Sequence, residues 1–248
     1  MTEDGFVTPI AAALALLRRA PSLLVWLILI AVATGSRALL AQAYSGRIDA
    51  SQLLALQAIS TFAPVLIDGA LLFFLARTLV ARQAGGASPL FARFLGVFIA
   101  AFFIDWMILA IGRFAIFFGG GSSRFMMTYG SVLVGSLGMI ATFPFLVRTL
   151  TAAAGSEAPK LPGIVALSFG EERYAYVWYA TCAIFFPVLM VYAFANVLPS
   201  GNQANDLPGN LLQSVITGTG GLLRYLLAAV VGMHAVSRGE KSLAETFA

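Results

Sequence analysis

Six stretches of this chain are each long enough and apolar enough to cross a bilayer, and that property constrains the fold more than any other. A span needs roughly 20 mostly apolar residues. The stretches cover 22–43, 53–79, 95–118, 125–150, 174–198 and 211–236. Within lipid, every backbone N–H and C=O has to be bonded inside the protein, which leaves only helices or a closed barrel. Barrel strands are short and alternate in polarity, whereas these runs are long and continuous. The expected fold is therefore all-α, a polytopic bundle of six transmembrane helices forming a single domain over 1–248. The longest connection, 155–173, has no room for a folded module outside the membrane.

Composition narrows the class. Hydrophobic residues make up 60% of the 248 and charged residues 10%, against about half and a quarter in a soluble domain. That balance excludes an ordinary soluble enzyme, a disordered chain and a nucleic-acid reader. The net charge of +4 comes from 15 Lys and Arg scattered between apolar runs, which mark topology at the headgroups. One cysteine, Cys182, permits no internal disulfide, and with one histidine, His234, it makes no metal cluster. No cofactor motif is present: there is no Walker loop, no His-Glu-x-x-His and no Gly-x-Ser-x-Gly elbow. The opening Met1-Thr2-Glu3-Asp4-Gly5 lacks the basic region of a cleaved signal peptide. With no glycosylation sequon and no lipidation box, these features point to the inner membrane of a bacterium.

Orientation follows from the basic residues. One side of the six-span layout carries ten of them: Arg18, Arg19, Arg77, Arg82, Arg93, Arg148, Lys160, Arg173, Arg238 and Lys241. The other side carries four: Arg37, Arg47, Arg113 and Arg124. Positive charge is retained inside, so both termini are expected in the cytoplasm.

Three segments each enter a span from a proline suited to the first turn of a helix: Thr8-Pro9 to Arg19, Ser88-Pro89 to Phe94, and Leu161-Pro162 to Arg173. Leu14 and Leu17, beside Arg18 and Arg19, suit a short amphipathic helix at the headgroups. Spans two and four close alike, on Leu75-Ala76-Arg77-Thr78-Leu79 and Leu146-Val147-Arg148-Thr149-Leu150, while the third unit lacks this match. The pattern reads either as three repeats of interfacial helix plus helical hairpin or as the ordinary abundance of Arg and Thr at membrane exits. Leu16-Leu17-Arg18-Arg19-Ala20-Pro21 leading into span one, with the segment before span five, resembles bacterial six-span proteins of the YciC-like and glycerophosphodiesterase membrane-domain-like families. The resemblance implies the six-span layout and carries over no catalytic residue.

Ionisable side chains deep in a span are costly, about 2.5–3.5 kcal/mol each on insertion scales. Asp68, Asp105 and Arg224 fall mid-span in spans two, three and six. Counted at about 1.5 Å per residue from the basic side, they lie at nearly one depth. A buried cluster is expected, with Arg224 bridging one or both carboxylates. The remaining carboxylate then holds a proton or faces water. Such a cluster serves either as a structural ion pair fixing helix packing or as a water- or substrate-linked site. Ser60 and Thr61 share a face of span two with Asp68, while Gln213, Thr217, Gly220 and Gly221 share a stripe of span six with Arg224. These polar and small residues either line a cavity or permit close helix approach. Arg37 and Arg113, toward the outer ends of spans one and three, either snorkel to the headgroups or bind lipid phosphate. Phe98, Phe102, Phe103, Trp106, Phe114, Phe117 and Phe118 are read as lipid-facing or packing bulk, and Tyr174, Tyr176, Trp178 and Tyr179 as an interfacial belt.

The leading functional class is a non-catalytic envelope protein whose partners are membrane lipids, other membrane proteins or a second copy of itself. The alternative is a small transporter or channel built on Asp68, Asp105 and Arg224. An intramembrane enzyme using an aspartate pair is the third, and neither aspartate carries the local motif such enzymes show. Reporter fusions at the two ends test the layout: cytoplasmic reporters respond at both, and an external C-terminus overturns the six-span topology.

Overall fold

In a computed structural model the described residues are 4–26, 28, 29, 63, 65–83, 90–119, 124–155, 160–196 and 207–247. They are helical throughout, joined by short turns, with no strand among them. Helix α1 is Asp4–Arg19, followed by a 3-10 turn at Pro21–Leu23. Helix α2 runs over 65–83 and contains a π-helical segment at Ala76–Val80. Then come α3 (Phe91–Phe118), α4 (Arg124–Ala153), α5 (Leu161–Phe169), α6 (Arg173–Asn196) and α7 (Leu207–Phe247).

Four of these are long and apolar enough to cross a membrane: Phe91–Phe118, and within α4, α6 and α7 the stretches Val132–Ala153, Arg173–Ala193 and Val215–Arg238. Their outer surfaces are what lipid requires and water forbids. On α3, Ile111, Phe114, Phe117 and Phe118 are each more than 60% exposed, in a helix whose only buried residue is Phe94. The protein is membrane-embedded. Most of span one, 22–43, and the first part of span two, 53–62 with 64, lie outside the described residues.

Helix α7 is the axis of the bundle. Leu226, Leu227, Ala228, Ala229, Val231 and Ala235 are almost wholly buried. Between helices in lipid there is little hydrophobic drive, so association rests on close packing through small residues. Gly220 and Gly221 show how close: a Cβ at Gly220 would fall 2.6 Å from Phe186 of α6, and one at Gly221 would fall 2.7 Å from Trp26. Gly232 lies between Val80 of α2 and Leu150 and Thr151 of α4, all at ordinary contact distance. The α3–α4 hairpin closes in the same way, with Gly112 against Val134 and Gly130 against Ile116.

One end of the bundle collects the basic residues. Leu90 N–H donates to the Ala153 carbonyl (3.0 Å), joining the start of α3 to the end of α4. Arg238 pairs with Glu171, and His234 with Glu172, which ties α7 to the turn before α6. Gly155, at φ 74°, ends α4 in the left-handed conformation that favours glycine.

Several sequence expectations change here. Helix α1 starts at Asp4, so Pro9 lies inside it and not in the first turn. Placed that early, the missing N–H removes a single helical bond. Among its described side chains α1 buries Pro9, Ala13 and Leu16, at spacings of four and three, while Leu14 is exposed. The segment before span three is no separate helix from Phe91 onward, because nothing interrupts Phe91–Phe118. The segment before span five does separate, because Gly170 turns the chain: a Cβ there would meet the Ala166 carbonyl oxygen at 2.7 Å. The apolar stretch of span six falls at Val215–Arg238, close to the expected 211–236, and its helix continues beyond it to Phe247.

Glycines with and without neighbours separate packing from propensity. Gly220→Ala is expected to cost about 1–3 kcal/mol by overpacking Phe186. Gly96→Ala, with nothing within 4 Å, leaves stability unchanged or raises it by up to about 1 kcal/mol. Thermal unfolding in detergent reads both, and equal effects overturn the packing account.

Candidate functional site

Asp68, Asp105 and Arg224 line one cavity of about 190 Å³. Five helices build its wall. Helix α2 supplies Val65, Asp68 and Leu72, a stripe at spacings of three and four. Helix α3 supplies Phe98, Ala101, Phe102 and Asp105 on a matching stripe, and α4 supplies Met139, Thr142, Leu146 and Thr149. Tyr179 enters from α6, with Arg224 and Tyr225 from α7. Along α4 the lining covers about 15 Å, from Met139 toward Thr149 at the basic end.

The charges meet the same space without clasping one another. No ion pair within 4 Å joins Arg224 to either aspartate. That corrects the expected bridge. The guanidinium turns to other acceptors: Nε donates to the Gly220 carbonyl one turn back (3.3 Å), and Nη1 donates to Met139 Sδ. The Tyr179 hydroxyl lies beside it and donates to the Met139 carbonyl (3.1 Å). Arg224 is thus held toward α4 and α6, and acts on both aspartates through space. The Tyr225 hydroxyl and the Trp26 indole adjoin Asp68. Even so, Asp68 Oδ1 and Trp26 Nε1 are buried without a hydrogen-bond partner. An unmatched buried polar atom costs about 1–3 kcal/mol, so Oδ1 marks a place where a donor is wanted.

Asp105 owes its position to a glycine. A Cβ at Gly138 would sit 2.8 Å from Asp105 Oδ1 and 3.3 Å from Ile108 Cγ2. The hydroxyls on the wall serve their own helix: Thr142 donates to the carbonyls of Gly138 (3.0 Å) and Met139 (3.1 Å), and Thr149 to Phe145 (2.8 Å).

The other sequence candidates fall elsewhere. Gly220 and Gly221 pack against Phe186 and Trp26 and are not part of the cavity wall. Thr217 is exposed on α7. The Gln213 side chain, and Ser60, Thr61 and Arg37 altogether, lie outside the described residues. Arg113 is exposed on α3, about 12 Å along the helix from Asp105. Tyr179 is not a belt residue: it is 3% exposed and packs at a tilt on Phe143 with ring centroids 4.5 Å apart. Phe98 and Phe102 line the cavity, whereas Phe103, Trp106, Phe114, Phe117 and Phe118 face outward. Sequence reasoning also missed Met139 and Tyr225. The i, i+4 and i+7 spacing of Phe98, Phe102 and Asp105 was the available signal for the α3 wall.

No protein family, curated protein or solved structure matches the chain.

The contact between Gly138 and Asp105 can be measured by a double-mutant cycle. Gly138→Ala alone is expected to lower stability by about 1–3 kcal/mol. In an Asp105→Ala background most of that cost disappears, because the displaced oxygen is gone. Additive effects on thermal unfolding overturn the proposed role of Gly138.

Proposed function

We propose that this protein is a small six-span transporter that takes a charged solute into the bundle at Asp68, Asp105 and Arg224. The observation that carries the reading is the cavity touching all three side chains. A purely structural ion pair would close its charges on each other, because an unpaired charge in a low dielectric is expensive. Here the guanidinium is anchored to Gly220 and Met139, leaving the carboxylates for something else. Ionisable groups inside a membrane that border a cavity mark solute and ion pathways. Motion between the two faces then requires helices that shift against α7, and its small-residue contacts suit sliding.

The reading includes spans at 22–43 and 53–79, an inner-membrane location, both termini in the cytoplasm and kinship with the YciC-like layout. It also includes a repeated hairpin. Thr78 and Thr149, at equivalent places in the two Arg-Thr-Leu closures, each donate to the carbonyl four residues back at 2.8 Å. Two residues further on, the equivalent Val80 and Thr151 flank Gly232 at 3.8 and 3.9 Å. Parallel repeats of this kind occur among transporters.

A second reading, a non-catalytic partner of lipids, other membrane proteins or its own second copy, is favoured by α3. That helix rests on α4 along one side and leaves a broad apolar face uncovered.

Reconstituted in proteoliposomes, the wild-type protein is expected to give a solute-driven current with a panel of small charged solutes on a solid-supported membrane. Asp68→Asn and Arg224→Gln each reduce it by about tenfold or more, the loss expected for one charge-assisted contact. Wild-type currents in both variants, or no current with any solute, overturn the transport reading in favour of the second.

A further inference from the structure

The cavity's own chemistry narrows the solute, given the transporter reading on which this step rests. Among the described residues its wall holds two carboxylates and one guanidinium. With both carboxylates ionised, that half-buried set carries one uncompensated negative charge, which either a bound proton or a bound cation relieves. A single positive charge closes the balance. A zwitterion leaves it unchanged, an anion worsens it and a divalent cation overshoots it.

The remaining wall distinguishes among monocations. Hard inorganic cations want a shell of oxygen ligands, six or more for the larger ones. Beyond the carboxylates, the described wall offers four hydroxyl oxygens, and two of them, Thr142 and Thr149, stand about 10 Å apart along α4, too far to share one ion. Thr142 and Thr149 donate to their own helix, and Tyr179 donates to Met139. Most of the wall is carbon: Val65, Leu72, Phe98, Ala101, Phe102 and Leu146. Aromatic faces attract an organic cation within about 6 Å of the ring. Asp68 is flanked by Tyr225 and Trp26, and its Oδ1 makes no hydrogen bond of normal geometry to either, so it keeps acceptor capacity for an N–H donor. A volume of about 190 Å³ is below the roughly 300–1,000 Å³ of drug-sized sites, so the occupant is small.

We propose that the cavity between Asp68, Asp105 and Arg224 binds a small organic ammonium ion of single positive charge. Its N–H groups are taken by the carboxylates of Asp68 and Asp105. Its carbon body rests on Phe98 and Phe102. Arg224, anchored to Gly220 and Met139, offsets one of the two carboxylate charges and keeps the site from accepting a second cation. Binding is non-covalent and no bond is made or broken.

Isothermal titration of the purified full-length protein in nanodiscs tests this. The probes are isobutylammonium chloride, sodium isobutyrate as the anion of similar shape, and sodium chloride at equal ionic strength. Isobutylammonium is expected to bind saturably, with no saturable heat from isobutyrate or sodium chloride. Asp68→Asn and Asp105→Asn each weaken binding by about tenfold or more, and Phe102→Leu weakens it by a smaller factor while keeping the charges. The wild-type comparison of the three salts needs no variant, so a variant that fails to fold does not blunt the test. Saturable isobutyrate binding, absence of saturable isobutylammonium binding, or wild-type affinity in the Asp68→Asn/Asp105→Asn pair overturns the proposal. Its failure is separable from that of transport. Ammonium that binds without crossing proteoliposomes overturns transport and leaves the ligand class standing. Asp68-dependent flux of an anion, without ammonium binding, does the reverse.

Discussion

The lipid around the helices is the constraint on which the rest of this structure depends. In a soluble protein, helices are driven together by removing apolar surface from water. In lipid that drive is missing, and contact has to come from surfaces that fit closely. Helix α7 meets the requirement with Gly220, Gly221, Ala228, Ala229, Gly232 and Ala235 at positions where Phe186, Trp26, Val80 and Leu150 approach. Once α7 is enclosed this tightly, Arg224 cannot escape to the headgroups. Its charge has to be met inside the bundle, and that requirement brings the other buried polar groups to it.

The way it is met sets the chemistry of the cavity. Arg224 spends its hydrogen bonds on a carbonyl of its own helix and on Met139 of α4. Those contacts fix the guanidinium without neutralising either aspartate. Asp105 is admitted by the missing side chain at Gly138, and Asp68 is flanked by Tyr225 and Trp26. Separation of these charges is the difference between a helix staple and a site with spare binding capacity. The aromatic and aliphatic wall around them lowers the local dielectric, which strengthens any interaction a charged solute makes there.

The basic end is organised by different physics. Arg238 and Glu171, and His234 and Glu172, are exposed or half-exposed pairs, and such pairs contribute little to stability. Their effect is geometric: they hold the turn between α5 and α6 against α7. The cavity lining runs toward this end through Leu146 and Thr149, so it extends from the mid-span charges toward the charged rim.

Membrane embedding and an all-helical fold were legible in the residues alone, since the length of an apolar run and the cost of unpaired backbone groups need no tertiary information. So was the unusual status of Asp68, Asp105 and Arg224, because any charge far from a helix end is conspicuous. Less was legible where a residue type serves two ends. Tyr179 looked like its neighbours Tyr174 and Tyr176, and only the packing of α6 on α4 turned it inward to Phe143. Gly220 and Gly221 lay on the stripe of Arg224, yet only the approach of Phe186 and Trp26 showed that they are filled contacts and not cavity wall. Local sequence determined the solvent, the helices and the three costly charges. Tertiary structure alone decided which side chains meet across helices and that Arg224 stands apart from both carboxylates, because those outcomes depend on distances between segments far apart in the chain.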